Sequence, residues 1–166
     1  MGLLDAARDV RTIKRLLTGA EAEARRDGEE RHGPEHLLLS AAALPDGTAV
    51  RALARVGVDP QALRNALAAV HDAALAGVGV GGERLPGSPQ LQAPPRGALR
   101  STPQAQQVFQ EAVALSKSTR PAGLTGAHVL AAAARLERGT AARALAVLGV
   151  DRDRLREAAC AEAGIG

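Results

Sequence analysis

An internal repeat constrains this chain more than any other feature. Residues 36–66 align without a gap on residues 128–158, at an offset of 92 positions, and 18 of these 31 pairs are identical. Alanine richness cannot supply the matches of His36 with His128 or of Gly57-Val58-Asp59 with Gly149-Val150-Asp151. Because a repeated unit of this kind buries its apolar face against its neighbour, the chain should fold as two matching halves.

Residues typical of helix starts and helix ends recur in both copies and predict four helices in each half. Proline suits the first helical position at Pro34 and again after Asp59, where the aspartate is a good N-cap. Gly57 and Gly149 suit the left-handed residue that follows a helix end. No segment alternates apolar and polar residues with a period of two, as a half-buried strand would. We therefore predict an all-α protein, an eight-helix bundle of two pseudo-symmetric four-helix repeats.

The predicted helices have approximate bounds. In the first half we expect helices over roughly residues 4–26, from Pro34 onward, 48–56 and 60–76. In the second half, Ser101-Thr102-Pro103 should cap a helix that reaches about Ser118, and Thr125 should cap a second helix that reaches Glu137. The third helix should end at Gly149, and Asp151 should cap the fourth. We assign residues 1–76 and 101–166 to the two repeats, and residues 77–100, rich in Gly and Pro, to a flexible linker.

Composition and charge exclude several classes of protein. Phe109 is the only aromatic residue, so the core must rest on close helix–helix contacts of small side chains. The net charge of +3 comes from arginines interleaved with acids, which does not predict nucleic-acid binding. The apolar run from Leu37 to Leu44 is too short to cross a bilayer. Cys160 is alone, which is compatible with a reducing compartment, and we expect a soluble, cytoplasmic protein.

The first repeat resembles a known family. Gly33-Pro34-Glu35-His36-Leu37-Leu38-Leu39 is similar to the G-T-E-H-[IL]-L-L signature of the Clp repeat, which occurs twice in the N-terminal domains of ClpA-, ClpB- and ClpC-type unfoldase ATPases. The segments Asp46-Gly47-Thr48-Ala49 and Gly57-Val58-Asp59 match the continuation of that pattern, and Ser101-Thr102-Pro103 resembles the start of its second copy. The resemblance covers nearly the whole chain outside the linker.

The resemblance implies an eight-helix module that recruits substrates and adaptors. In ClpC-type proteins such a module also binds phosphoarginine, through a Glu of the E-H-L-L motif and a Thr near the start of each repeat. Residue by residue, the first repeat keeps Glu35 but has Val10 at the threonine position, and the second keeps Thr102 but has Ala127 at the acid position. Taken repeat by repeat, each pocket keeps half of its recognition pair. The candidate binding residues are Glu35, His36, Thr102 and His128.

The sequence contains no convincing catalytic, metal or cofactor site. No G-x-x-x-x-G-K-[ST] loop is present, and Gly77-x-Gly79-x-x-Gly82 follows a helix instead of the strand that a dinucleotide site needs. His32 and His36 have a metal-like spacing, but Gly33-Pro34 breaks a helix between them, so structural histidines are the better interpretation. The five arginines 51, 55, 64, 143 and 156 are interpreted as solvated helix faces with local Asp and Glu partners, although a guanidinium face could also dock an acidic peptide or an unfoldase.

We therefore expect a non-catalytic protein- or peptide-binding module of the Clp proteolysis system. It would act as an adaptor, a substrate-recognition domain or a competitor of an unfoldase N-terminal domain, with Clp substrates, adaptors or a ClpC-type unfoldase as partners. Two alternatives remain. The chain could sequester antibacterial cyclic peptides that target such domains, or it could be the N-terminal part of a full-length Clp ATPase.

Overall fold

The computed structural model describes residues 2–77 and 101–166, which form eight α-helices and no β-strand. The helices of the first half are α1 (Leu3–Arg26), α2 (Pro34–Ala42), α3 (Thr48–Arg55) and α4 (Pro60–Gly77). Those of the second half are α5 (Pro103–Ser118), α6 (Gly126–Ala133), α7 (Thr140–Val147) and α8 (Arg152–Ala163). The prediction of an all-α, eight-helix fold is confirmed. Residues 78–100, most of the predicted linker, lie outside the described residues.

The helices of the two halves correspond at the offset found in the sequence. Helices α6, α7 and α8 each begin 92 residues after α2, α3 and α4. Helices α1 and α5 end 92 residues apart, at Arg26 and Ser118, but α1 begins eight residues earlier than this correspondence requires. The bundle is therefore built from two pseudo-symmetric four-helix repeats, with an N-terminal extension on α1.

The two halves interlock through their central helices. All eight residues of α6 and most of α2 are buried, as their apolar sequences require, and the two helices pack against each other. Around them, α3 packs on α8 and α4 packs on α7, so each half covers the other in the same way. The core is thus shared between the repeats.

A glycine permits the close approach of α2 and α6. A Cβ atom at Gly126, the first residue of α6, would lie 2.7 Å from the carbonyl oxygen of Ala41 and 2.9 Å from the Cβ of Ala49. Backbone atoms cannot move aside cheaply in a packed core, because the interior is as dense as an organic crystal. Glycine at this position therefore determines how closely the second half can approach the first.

The two outer interfaces differ in chemistry. Between α3 and α8, Glu162 accepts hydrogen bonds from Arg51 Nε at 2.8 Å and from Arg55 Nε at 2.8 Å. At the equivalent interface between α4 and α7, the positions that correspond to Arg55 and Glu162 are Val147 and Val70. The ion pairs are therefore restricted to one side of the pseudo-twofold arrangement.

One helix is shorter than predicted. Helix α6 ends at Ala133, whereas the sequence pattern predicts helical residues to Glu137. Beyond it, the N–H of Leu136 donates to the carbonyl of Ala133, which tightens the turn, and Arg152 Nη1 donates to the carbonyl of Leu136 at 2.6 Å. This side-chain bond from α8 satisfies a backbone carbonyl in the turn that follows α6.

We predict that Gly126→Ala destabilises the protein by about 1–3 kcal/mol, because the added methyl group overpacks the contact between α2 and α6. Gly77→Ala is the matched control, since a Cβ at the end of α4 meets nothing within 4 Å. Urea unfolding followed by circular dichroism measures both. Equal midpoints for Gly126→Ala and the parent protein would show that the crossing tolerates a larger separation.

Candidate functional site

A buried histidine joins the end of α1 to the start of α2. His36 Nδ1 accepts the backbone N–H of Gly33 at 2.9 Å, so Nε2 carries the proton and donates to Asp27 Oδ2 at 3.0 Å. His36 is the third residue of α2, where a side chain can reach back to the N-cap amide, as the acid of a capping box does. Both ring nitrogens are occupied and the ring is buried, so His36 orients the helix start.

The second half uses the same device with a different acceptor. His128 Nδ1 accepts the N–H of Thr125 at 3.0 Å, and its Nε2 lies 3.3 Å from the hydroxyl of Thr119. Thr119 stands 92 positions after Asp27. Thr125 was expected to cap α6 with its hydroxyl, but this hydroxyl lies 2.9 Å from His128 Nδ1 and makes no side-chain cap bond to the helix. The side chain of His128 therefore caps the N-terminus of α6 in place of the Thr125 hydroxyl.

The burial of the histidines has electrostatic consequences. Burial lowers the pKa of His128 from its usual value of 6.5, and the carboxylates of Asp46 and Asp9 oppose this shift only in part. Burial also lowers the pKa of His32, and the neighbouring His36 lowers it further. His32 Nδ1 is buried without a hydrogen-bond partner. The folded protein therefore favours neutral rings at both positions.

The start of α5 lies against the segment that leads into α2. The N–H of Thr102 donates to the carbonyl of His32 at 3.0 Å, and Ser101 Oγ lies 2.9 Å from His32 Nε2. The hydroxyl of Thr102 accepts the N–H of Ala105 at 3.1 Å, so Thr102 is the N-cap of α5 as predicted. This contact brings together the N-termini of two helices, one from each half.

Glu35 also lies at the contact between the starts of α2 and α5. Its carboxylate folds back over Gly33, where a Cβ atom would lie 2.6 Å from both carboxylate oxygens. His36 Nδ1 lies 3.6 Å away, but it is a hydrogen-bond acceptor and cannot form an ion pair with Glu35. Within residues 2–77 and 101–166, no lysine or arginine pairs with this half-buried carboxylate. We call the group of His32, Gly33, Glu35, Ser101 and Thr102 the α2–α5 corner.

The structure does not bring together the residues that were paired repeat by repeat. The end of α1 adjoins the start of α2, where Glu35 lies. Val10 precedes that end of α1 by sixteen residues, or about 24 Å of helix. Thr102 is similarly separated along α5 from Thr119, which adjoins the start of α6 and Ala127. The repeat-by-repeat pairing is therefore wrong. The contacts run between repeats, and Glu35 shares a corner with Thr102.

The corresponding corner at the start of α6, which we call the opposite corner, has backbone groups that already bond within the protein. Ala127 is fully buried, and its N–H donates to the hydroxyl of Thr48 at 2.9 Å. The N–H of Leu124 donates to Asp9 Oδ1 at 2.7 Å, which ties the start of α6 to α1 near the exposed Val10. Protein side chains thus already bond the backbone here, and no glutamate matches Glu35.

The sequence interpretation missed several residues that build these corners, above all Asp27, Ser101 and Asp46. Asp46 Oδ2 accepts the N–H of Gly126 at 3.2 Å, across the two halves. Asp27 was detectable, because the offset of 92 aligns it with Thr119, and both precede a matched histidine by nine residues. Nothing in the one-dimensional pattern indicates the partners of Ser101 or Asp46.

Two other kinds of site are absent from the described part of the chain. No group of three or more His, Cys, Asp or Glu side chains there is arranged to hold a metal ion. No helix among these residues combines the length and apolar character needed to cross a membrane.

These features define a helical double-repeat protein with an inter-repeat corner, and comparison with known proteins identifies its family. The model of the Clp repeat (R) N-terminal domain matches residues 11–96 and 100–165. The chain therefore belongs to the Clp repeat N-terminal domain family. No curated protein matches its sequence.

Among solved structures, the chain is similar to the N-terminal domain of the caseinolytic protease associated chaperone ClpD from Arabidopsis thaliana. The TM-score is 0.52 at 18% sequence identity, over 93% of this chain and 90% of that chain. At this identity the likeness concerns the fold.

We predict that the protein loses stability as the pH falls below about 6.5. Because the pKa values of His32 and His128 are lowered on folding, the unfolded chain takes up protons there before the folded protein does. His32→Leu, which copies the buried Leu124 of the second repeat, should reduce this pH dependence, because it removes one of the two histidines whose pKa folding lowers.

Urea unfolding at several pH values between 7.5 and 5 measures both effects, with the half-buried His71 on α4 as control through His71→Gln. If the free energy of unfolding depends on pH identically in His32→Leu and the parent protein, then the lowered pKa of His32 does not contribute to the loss of stability.

Proposed function

We propose that this chain is a non-catalytic protein- or peptide-binding module of the Clp proteolysis system, and that its ligand binds at the α2–α5 corner through Glu35 and Thr102. The observation that supports the proposal is the hydrogen bond from the N–H of Thr102 to the carbonyl of His32, because Thr102 then lies beside the start of α2, the helix that carries Glu35. Membership of the Clp repeat family supports the general role.

The chemistry of the corner suits a ligand with both a cation and an anion. The carboxylate of Glu35, which no lysine or arginine of the described residues pairs with, can accept two charge-assisted hydrogen bonds from a planar guanidinium group. The N-termini of α2 and α5 converge here, and helix N-termini favour negative charge. The Thr102 hydroxyl can donate to an anionic oxygen while it accepts the Ala105 N–H. A phosphoarginine side chain carries a guanidinium and a phosphate on adjacent atoms, so it is the ligand that we propose.

The opposite corner should not bind this ligand, so we propose one site per chain. Ala127 offers no carboxylate, and Val10 offers no hydroxyl. His36 and His128 are buried with both nitrogens bonded, so their proposed part in binding is indirect: His36 holds the start of α2, and with it Glu35, in place.

Within the Clp system, such a module can act in cytoplasmic proteolysis as a substrate-recognition domain, an adaptor or a competitor of an unfoldase N-terminal domain. All three roles require only a ligand that both proteins recognise. Competition would then follow mass action and depend on concentration and relative affinity.

We predict that the protein binds phosphoarginine with a stoichiometry near one, and that Glu35→Gln weakens binding by about tenfold or more, because a charge-assisted pair becomes a neutral one. Thr102→Ser should retain binding. Thr102→Asp should keep the N-cap and the fold but weaken binding, because it places a negative charge beside the phosphate. Isothermal titration calorimetry measures all four proteins, with free arginine as the ligand without phosphate.

Unchanged affinity in Glu35→Gln and Thr102→Asp would remove the corner from consideration. A stoichiometry near two that falls to one in both variants would show that the start of α6 binds the ligand as well, and would contradict the proposal of one site per chain.

We further predict that the chain displaces a fluorescent phosphoarginine peptide from the N-terminal domain of a ClpC-type unfoldase. Displacement should rise with concentration, as expected for a shared ligand, and Glu35→Gln should displace much less. Fluorescence polarisation measures the bound fraction. Equal displacement by the parent protein and the variant would argue against a role of this corner in competition.

A further inference from the structure

Helix α1 extends beyond the repeated body of the protein. It begins eight residues before the position that matches the start of α5, so its first two turns have no counterpart in the second half. Leu3 and Leu4 are 92% and 86% exposed on these turns. Two neighbouring leucines that are almost completely exposed leave an apolar surface that a partner molecule can cover.

The extension continues into a positively charged face of the same helix. Leu4, Arg8, Arg11 and Arg15 follow one another at intervals of four, three and four residues, which places them on one side of α1. All four are exposed, and Lys14 is an exposed neighbour. We call these five residues the basic face of α1. No acidic residue lies in this row.

The cations of this face are available, unlike arginines elsewhere in the structure. Arg51 and Arg55 are paired with Glu162, and Arg64 makes two hydrogen bonds to Glu23. These three arginines therefore have acidic partners, but the prediction that the partners are local is wrong, because they lie between 41 and 111 positions away in the chain. In contrast, Arg11, Lys14 and Arg15 pair with no acidic side chain in residues 2–77 and 101–166. Arg8 has one exposed partner on its own helix, Asp5, at 3.4 Å.

We propose that the basic face of α1 docks an acidic, amphipathic helix of a partner protein. The row from Leu4 to Arg15 is about 17 Å long, which corresponds to three turns of a partner helix. Carboxylates that recur every three or four residues on such a helix would meet the three guanidinium groups, which favour paired, planar contacts with carboxylates. An apolar side chain at one end of the partner would cover Leu4 and fix the register.

The arrangement favours a protein partner over a membrane surface. A helix that lies on a membrane has a broad apolar face opposite its basic face. Here Leu4 lies in the same row as the arginines, and the side of α1 opposite to them, which includes Leu16 and Ala20, is buried in the protein core. Besides Leu4, the exposed large apolar side chains of α1 are Leu3 and Val10, so the apolar surface left for a membrane is narrow.

The basic face is separate from the α2–α5 corner. It occupies the first half of α1, and the corner lies past the opposite end of the helix, where Asp27 bonds His36. A partner on the basic face would leave Glu35 and Thr102 accessible. The module could thus hold an acidic partner and a ligand at the corner at the same time, and the two proposals can fail independently.

The experiment uses the whole chain and a fluorescent helical peptide of sixteen residues, with glutamates every three to four residues and one terminal leucine. We expect Arg11→Glu/Arg15→Glu to weaken binding by at least about tenfold, and binding to weaken further as salt is added. Arg143→Glu/Arg156→Glu is the matched control, because it makes the same change in net charge at exposed positions of α7 and α8. Leu4→Ser should weaken binding severalfold without a change in charge. Circular dichroism confirms that each variant is folded.

Three results would overturn the proposal. The first is equal weakening by the two double variants, which would show an effect of net charge alone. The second is equal affinity for a peptide with glutamine in place of glutamate. The third is tighter binding to phosphatidylglycerol vesicles or to duplex DNA than to the acidic peptide, since either would indicate a different class of partner.

Discussion

The close contact between α2 and α6 is the constraint on which the rest of the structure depends. These two short helices can form the centre only because their residues are almost all apolar and small, and because Gly126 leaves room for the backbone at Ala41. Once they are in contact, each half must place its remaining helices around the partner's central helix. The packing of α3 on α8 and of α4 on α7 follows from this.

The same interlock explains why both corners combine residues from two repeats. Each central helix begins beside the first helix of the opposite half, as the contacts of His32 with Ser101 and of Leu124 with Asp9 show. A buried histidine at the third position then holds each start in place. The acceptors differ, aspartate in the first half and threonine in the second, but the geometry at Nδ1 is the same.

This arrangement changes the meaning of the sequence differences between the repeats. The first repeat has a valine at the threonine position, and the second has an alanine at the acid position, so each repeat on its own looks half complete. Because the corners form between repeats, these two changes fall at the same corner. The other corner keeps both Glu35 and Thr102. A duplicated module can therefore differ between its two corners while its core remains unchanged.

The sequence by itself determined the fold class, the four-helix repeat and most helix bounds, because these depend on local signals: proline and aspartate at helix starts, glycine at helix ends, and apolar residues at helical spacing. It also indicated a structural role for His32 and His36, although it counted His36 and His128 among the candidate binding residues. The tertiary structure alone decided which residues meet at each corner, where α6 ends, and which arginines have partners. Those outcomes depend on contacts between residues far apart in the chain, such as Thr102 with His32 or Arg51 with Glu162, and no local pattern encodes how two similar halves are placed against each other.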